Sequence, residues 1–433
     1  MIQRLFLKNF LSLPSAIISL KDINLLIGPN NSGKSNLLRA FEVLGSFFSE
    51  ENEKTEFTSA WALRQSFNRT GDWVTLGVEG EENGETWIYA IAFRPGKTTS
   101  PEFVEIAGVP KAGFDADLQL TDPEWLKINV DRMCIHTYEA PFHLGDVAFL
   151  HVFNNPYNTF ASTFEATVHF DEGSITAPTN VRDRGLINRP AQLHLWGDTL
   201  FINSSLNDAF AHIRIHYFFS RQFLREREAK FTDQLNDDGS NLVPFLFYLD
   251  QNHPARYKAM LDDLKWSLGD IENVRTPLDK DNKLTLRFFD ANGADYSVNE
   301  VSEGVKYFLA FLAIVHQPNP PKILLIEEPE NGIHPRRINQ LLDYLQRLAE
   351  DRGIRIILTS HSPVVLDHFE ADPSAVWVFD REEGRSVIRN LKRDILSVQE
   401  ENYHEATGEP SNGWETLLGE KWLSGILNGV PND

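Results

Sequence analysis

Residues 28–35 read Gly-Pro-Asn-Asn-Ser-Gly-Lys-Ser, the most specific chemical signal in the chain. Two glycines and a Lys-Ser pair at this spacing make a loop that cradles phosphate. Gly28 and Gly33 permit a tight backbone that a Cβ would obstruct. The N–H groups of the loop and of the following helix N-terminus converge on an anion. Lys34 has the reach for β- and γ-phosphates, and the Ser35 hydroxyl can ligate Mg²⁺. The motif predicts binding of a nucleoside triphosphate.

Further along, Lys322-Ile323-Leu324-Leu325-Ile326 ends in Glu327-Glu328-Pro329-Glu330. An aliphatic run tipped with acids is what a central parallel strand looks like when its C-terminal end faces a ligand. Phosphoryl transfer to water needs two acids there, one holding Mg²⁺ through its water shell and one polarising the attacking water. Glu327 is assigned the first role and Glu328 the second. A third apolar run, Arg355 to Ser360, is followed by His361, placed to reach a γ-phosphate or its attacking water. Between the loop and the acids, Ser302 opens an apolar helix, Tyr307 to Val315, with Gly304 in its first turn. A capped helix start with a hydroxyl and a glycine N–H is a second phosphate site.

The elements that must hold these residues are legible in outline. Two or three short strands fill residues 1–27, with turns at Asn9–Ser12 and Lys21–Asp22, and a helix follows the loop from Asn36. Residues 49–68 form a polar stretch. Alternation from Trp73 to Phe93, broken at Glu81–Gly84, predicts a hairpin. Strand-like runs at 103–106, 127–135 and 167–170 complete a β-rich lobe. From Leu195 to Leu268 the period shifts toward 3.6, with helical pieces at 231–235 and 242–249 and a turn at Asp238–Asn241. Strand character resumes over Leu284–Phe289, and helix and strand alternate from Glu300. The tail holds one strand, Ala375–Phe379, and a helical, Trp-bearing end. The fold class expected is α/β, a P-loop NTPase whose mostly parallel central sheet is flanked by helices and joined to the β-rich lobe. The expected divisions are 1–225, a helical insertion at 226–282, 283–370 and a tail at 371–433.

Composition narrows the setting. The chain has 433 residues, 42% hydrophobic and 24% charged, the balance of a globular protein of two or more domains. Cys134 is the single cysteine, which excludes a disulfide framework and fits a reducing compartment. Met1 leads straight into a strand pattern, and no apolar stretch approaches the roughly 20 residues of a bilayer span. A cytoplasmic location without membrane contact is expected. The net charge of −21 disfavours nucleic-acid binding over the whole surface, leaving local clusters such as Arg182, Arg184 and Arg189, or Arg221, Arg225, Arg227 and Lys230.

The order of phosphate loop, Ser-x-Gly helix, acid-tipped strand, the 330–335 loop and strand-end histidine resembles the ABC-type ATPase heads of the SMC/RecF/OLD group. It is most similar to the stand-alone ATPases of the AAA_21 kind. The opening Leu7–Leu13, the core Leu26–Asn36, Glu327–Pro335, Asp238–Leu242 and the tail Leu418–Gly425 carry the likeness. It is strong over 1–45 and 297–370 and thin over 50–230. The resemblance implies ATP hydrolysis with Mg²⁺, the nucleotide being held by Gly28, Pro29, Asn30, Asn31, Ser32, Gly33, Lys34, Ser35 and Asn36. Ser35 and Glu327 would bind the metal, Glu328 would be the catalytic base and His361 the switch histidine. Ser302 and Gly304 would act in trans on a second subunit's nucleotide, in a homodimer with composite sites. Most such heads carry Asp where Glu327 stands, and no Q-loop glutamine is placed, Gln192 and Gln222 being the candidates.

For output, the resemblance implies a clamp or switch that senses DNA and licenses a separately encoded nuclease or other effector, in DNA maintenance or phage defence. The Asp-x-Asp pairs at 115–117 and 279–281 read as turns, and only about seventy residues follow His361. Both argue against an intrinsic nuclease. Two rival readings are a nucleotide-gated scaffold with little turnover and the ATPase subunit of a transporter.

Overall fold

The computed structural model describes residues 1–46, 73–82, 84–94, 102–110, 130–138, 164–170, 173–179, 213–216, 227–228, 232–281, 283–408 and 415–430. They form two compact units, one of residues 1–21, 30–213 and 379–388, the other of 22–29, 214–378 and 389–433.

The chain opens with β1 (Ile2–Phe10), β2 (Leu13–Ser19), β3 (Ile23–Ile27) and α1 (Lys34–Ser46). The alternating stretch then gives β4 (Val74–Glu82) and β5 (Glu85–Arg94), and β6 (Glu102–Pro110), β7 (Val130–Tyr138), β8 (Phe164–Phe170) and β9 (Gly173–Thr179) follow. In the first unit these strands make an eight-stranded antiparallel sheet in the order β2-β1-β4-β5-β6-β7-β8-β9. The β1–β2 turn places Asn9 and Leu11 in left-handed backbone, at φ 54 for both. The β4–β5 hairpin closes with Glu82 opposite Glu85 and Gly84 at φ 83, as a tight turn requires. Buried Leu37, Leu38, Phe41 and Leu44 give α1 its apolar stripe, and the helix lies against β1 and β4.

The strands β10 (Ile213–His216) and β11 (Arg227–Glu228) come next, then the helices α2 (Leu242–Asn252) and α3 (Pro254–Leu268). Four short strands follow: β12 (Asn273–Arg275), β13 (Lys283–Leu284), β14 (Arg287–Phe289) and β15 (Asp295–Ser297). The remainder is α4 (Glu303–Val315), β16 (Ile323–Glu327), α5 (Pro335–Arg352), β17 (Arg355–Ser360), α6 (Pro363–Asp367), β18 (Val376–Glu382), β19 (Arg385–Asn390), α7 (Ser397–Thr407) and α8 (Leu418–Leu423). A six-stranded sheet has the order β10-β16-β17-β3-β18-β19, in which β16–β17, β17–β3 and β3–β18 pair in parallel. All five residues of β3 are buried, as are four of the five in β16. That is the mark of strands covered on both faces. α5 packs on β17 and β3, and α4 carries buried residues almost all round, so it is a core helix. The fold is α/β, with a mostly parallel sheet, helices on it and a β-rich lobe. Among the described residues no helix is long and apolar enough to cross a membrane.

Four expectations give way. Ile213–His216 is a strand within the stretch whose period suggests helix. Residues 232–235 are not helical, because the Asn241 amide donates to Thr232 Oγ1 and to the Gln234 carbonyl and holds them as a turn. The run at 284–289 splits into two strands, since the Thr285 N–H and hydroxyl both donate to the Pro277 carbonyl and interrupt the ladder. The tail has a second strand, β19, and then a π-helical turn, Leu391–Leu396, whose start is capped by Asn390 accepting from the Arg393 N–H. The polar stretch at 49–68 and the arginines at 182, 184, 189, 221 and 225 lie outside the described residues, as do Lys230, Gln192, Gln222 and the 115–117 pair.

Candidate functional site

The candidate phosphate loop, residues 28–35, leaves the buried end of β3 and runs into α1. Its backbone needs positive φ three times, at Gly28 (146), Asn31 (62) and Gly33 (107). Alternation of this kind turns consecutive N–H groups toward one point, an anion-binding concavity. Gly33 is demanded twice over. A Cβ there would lie 2.9 Å from Ser12 Oγ and closer still to Ser386 Oγ. Those hydroxyls are hydrogen-bonded to each other at 2.7 Å, and Ser12 Oγ also accepts from Asn36 Nδ2 at 2.8 Å. The loop is therefore braced from behind by two serines and its own asparagine. Ser32 is 1% exposed, and its Oγ has no hydrogen-bond partner among the described residues. A buried hydroxyl left so costs about 1–3 kcal/mol, a deficit that a phosphate oxygen would remove. Lys34 is buried and Ser35 exposed at the head of α1, where the first helical N–H groups lack partners within the helix. These residues fit a nucleotide phosphate with Mg²⁺.

In the second unit the acids and the histidine stand along one sheet edge. β16 runs parallel to β17 with Glu327 beside Thr359, and β17 runs parallel to β3 with Ser360 beside Ile27. Glu328 therefore stands level with Ser360 and Ile27, and His361 and Gly28 follow one residue further along. Glu328 sits at φ 45, left-handed backbone that costs a non-glycine residue about 1–2 kcal/mol. The conformation is held by its N–H donating to the Thr359 carbonyl at 2.9 Å. Its side chain is also directed. Oε2 accepts from Asn331 Nδ2 at 2.7 Å, and Oε1 lies 3.6 Å from His361 Nε2. Strain of this kind concentrates at functional sites.

Glu330 lies beneath this edge. Its Oε1 accepts from Ser360 Oγ at 2.7 Å and from the His361 N–H at 2.8 Å, while Oε2 is buried without a hydrogen-bond partner. Burial pushes its carboxyl above the ordinary range, against the opposing pull of those two donors. Neither Glu330 nor Asn331 had an assigned side-chain role from sequence. The third acid of Glu-Glu-Pro-Glu is the available signal, but its partner Ser360 is 30 residues away.

Ser302 caps α4, its Oγ accepting from the Val305 N–H at 3.4 Å, and the residue is exposed. Gly304 abuts the loop after Glu330: a Cβ there would stand 2.8 Å from the Gly332 carbonyl oxygen. Gly332 is itself at φ 75 under the Tyr307 ring. Lys306, two residues after Gly304, is buried and paired with Glu303 at 3.0 Å. The structure thus brings Gly28, Glu327, Glu328 and His361 to one edge and seats Gly304 on the 330–335 loop. Asp279 is a turn residue, as its motif suggested, accepting the N–H groups of Asp281 and Lys283.

Two family models match the chain. One, described as "AAA domain, putative AbiEii toxin, Type IV TA system", covers residues 192–367, and one described as "AAA ATPase domain" covers 1–86. An uncharacterized ABC transporter ATP-binding protein, YhcH of Bacillus subtilis (strain 168), is 29% identical over 111 residues, 25% of this chain and 34% of that protein. The energy-coupling factor transporter ATP-binding protein EcfA2 of Clostridium perfringens (strain SM101 / Type A) is 23% identical over 136 residues, 30% of this chain and 44% of that protein. The chain therefore spans less than half the length of these curated relatives. Among solved structures, the SMC head domain from Thermotoga maritima is 13% identical, with 90% of this chain and 98% of that one covered at a TM-score of 0.38. An SmcHead bound to the C-winged helix domain of ScpA is 12% identical, with 90% and 99% covered at 0.44.

Proposed function

We propose that this chain, two stretches of which match AAA-type ATPase domains, is an ABC-type ATPase head of the SMC/RecF kind that works as an ATP-hydrolysing clamp or switch in which two copies close around two nucleotides. The observation that carries this reading is the register β16–β17–β3, which sends His361 and Gly28 off neighbouring parallel strands at one level and Glu328 off the third strand one residue before them. Ligands of open α/β sheets bind outside the carboxyl ends of such strands.

In the proposed reaction the N–H groups of the loop and Lys34 hold the β- and γ-phosphates. Ser35 and Glu327 would hold Mg²⁺, which neutralises charge on the phosphate oxygens. Glu328, oriented by Asn331, accepts a proton from water as its oxygen bonds to the γ-phosphorus. The bond from that phosphorus to the bridging oxygen breaks, and ADP leaves with the electron pair. His361 faces the γ-phosphate. The exposed Ser302 hydroxyl and the Gly304 N–H complete the partner's site, so that ATP favours the closed dimer by contacts ADP lacks. The output is a shape change delivered to DNA and to a separately encoded nuclease or other effector, in DNA maintenance or phage defence.

The test is the ATPase rate of wild type and Glu328→Gln, each with and without double-stranded DNA, with mass followed by light scattering. Loss of the general base lowers turnover by about 10²–10⁴-fold while leaving nucleotide binding intact. DNA-stimulated turnover, with an ATP-bound dimer trapped in the variant, is the expected result. A variant that stays monomeric with ATP overturns the dimer, and turnover indifferent to DNA moves the output to protein partners.

Two specific observations favour other outputs. Glu327 stands where Asp is usual, which favours a nucleotide-gated scaffold; tight ATP binding with very slow turnover would identify it. The names of the two curated relatives favour a transporter subunit, which would co-purify with an integral membrane protein.

A further inference from the structure

His361 is the last member of the sheet-edge set, and its main chain is held by a carboxylate from another element, Glu330. Its backbone follows Ser360, the final residue of β17, and continues into Ser362 and α6. Three hydrogen bonds fix this turn, and all of them run through one pair of side chains. Ser360 Oγ donates to Glu330 Oε1 at 2.7 Å and accepts from the Ser362 N–H at 2.9 Å. The His361 N–H donates to the same Glu330 oxygen at 2.8 Å. Ser360 is fully buried, so the network is sheltered from water, where such bonds hold geometry best. Glu330 also begins the loop whose next residue, Asn331, holds Glu328 Oε2 and whose Gly332 lies under Gly304.

We propose that Glu330 is a positioning residue for His361: its Oε1, shared between Ser360 Oγ and the His361 N–H, sets the height and direction of the imidazole relative to Glu328 and the γ-phosphate. This rests on the ATPase reading above. Only one oxygen is needed, so charge is not the requirement. An amide in the same place keeps the acceptor, and a methyl group removes it.

The experiment measures kcat, KM and thermal melting for wild type, Glu330→Ala, Glu330→Gln, Ser360→Ala, His361→Ala and the Glu330→Ala/His361→Ala pair in the full chain. Amide exchange over residues 355–366 is read on each. Removing a second-layer hydrogen-bond partner costs about 10–100-fold, and Glu330→Ala is expected to lose kcat in that range with KM little changed. Glu330→Gln recovers most of the loss, Ser360→Ala falls between, and Glu330→Ala adds little once His361 is gone. The amides at 360–362 exchange faster in Glu330→Ala but not in Glu330→Gln.

Wild-type kcat in Glu330→Ala, a Glu330→Gln as impaired as the alanine variant, or an equal loss with and without His361 each overturns the proposal. A wild type that binds ATP without turnover counts against the ATPase reading alone. The positioning is then judged by preference for ATP over ADP, lost in Glu330→Ala and kept in Glu330→Gln if it is right, unchanged in both if it is wrong. A wild type that neither hydrolyses ATP nor prefers it to ADP overturns both readings.

Discussion

Backbone at single residues decides much of the candidate site. Gly304 faces a carbonyl rather than a flexible side chain, so an added methyl 2.8 Å from the Gly332 oxygen must move one backbone or the other. Gly332 cannot retreat easily, being at φ 75 beneath the Tyr307 ring. Gly304→Ala should therefore destabilise the protein by about 1–3 kcal/mol, the usual cost of overpacking, and a urea titration would read it. A midpoint unchanged from wild type would show that this contact is loose. A second residue-scale effect concerns acid. Burial lowers the pKa of His368, with the Asp343 carboxylate offsetting part of that. A base whose folded pKa is depressed resists protonation, so below about pH 6.5 the unfolded chain binds more protons than the folded one. Its contribution is present above that pH and is lost as pH falls, so stability should decline from pH 7 toward 5. In His368→Gln that decline should be shallower, as melting curves at the two pH values would reveal; a parallel decline would assign the acid sensitivity elsewhere.

At the scale of elements, α4 has two roles that separate by experiment. Its cap bond, Ser302 Oγ to the Val305 N–H, is long at 3.4 Å and exposed. Ser302→Ala should then cost stability only near the low end of the capping range, about 0.5–1 kcal/mol. If the same hydroxyl serves a partner's nucleotide, turnover should fall by far more than that loss explains, and Ser302→Ala added to Glu328→Gln should prevent the trapped dimer. A matching small loss in both readouts would leave Ser302 a cap and no more. How readily each element could be read from sequence follows the same division between local and distant causes. β3, β16 and β17 were legible because strands covered on both faces are continuous apolar runs, and the groups at their ends follow from the strand. β19 was not, because Arg385–Asn390 buries only Ser386 and Asn390, a pattern with no clear period. The turn at 232–235 was misread as helix because Leu235 is apolar and buried, while the Asn241 amide that shapes the turn lies outside that window. The tight backbone of the 28–35 loop was legible at Gly28 and Gly33, which both take positive φ. Its brace was not, since Ser386 is 374 positions from Ser12.

For the whole molecule, the net charge of −21 should make the proposed dimerisation and the proposed DNA binding respond oppositely to salt. Two copies of so acidic a chain repel one another at long range, and mobile ions shorten that repulsion from a Debye length of about 30 Å at 0.01 M to about 8 Å at 0.15 M. The contacts proposed to close the dimer, through nucleotide and the α4 start, are short-range and less screened. The ATP-bound dimer of Glu328→Gln should thus tighten as salt rises from low to physiological strength. DNA binding, which must come from a local basic cluster against an unfavourable overall field, releases counterions and should weaken over the same range, with log affinity falling about 0.9 per phosphate contacted for each tenfold rise in salt. Sedimentation of the variant with ATP, alone and with a labelled duplex, would measure both trends in one salt series. A dimer that dissociates with added salt would mean that ion pairs, not nucleotide, hold the copies together. Duplex affinity indifferent to salt would mean that phosphates are not what the protein grips, and the search for its partner would turn to proteins.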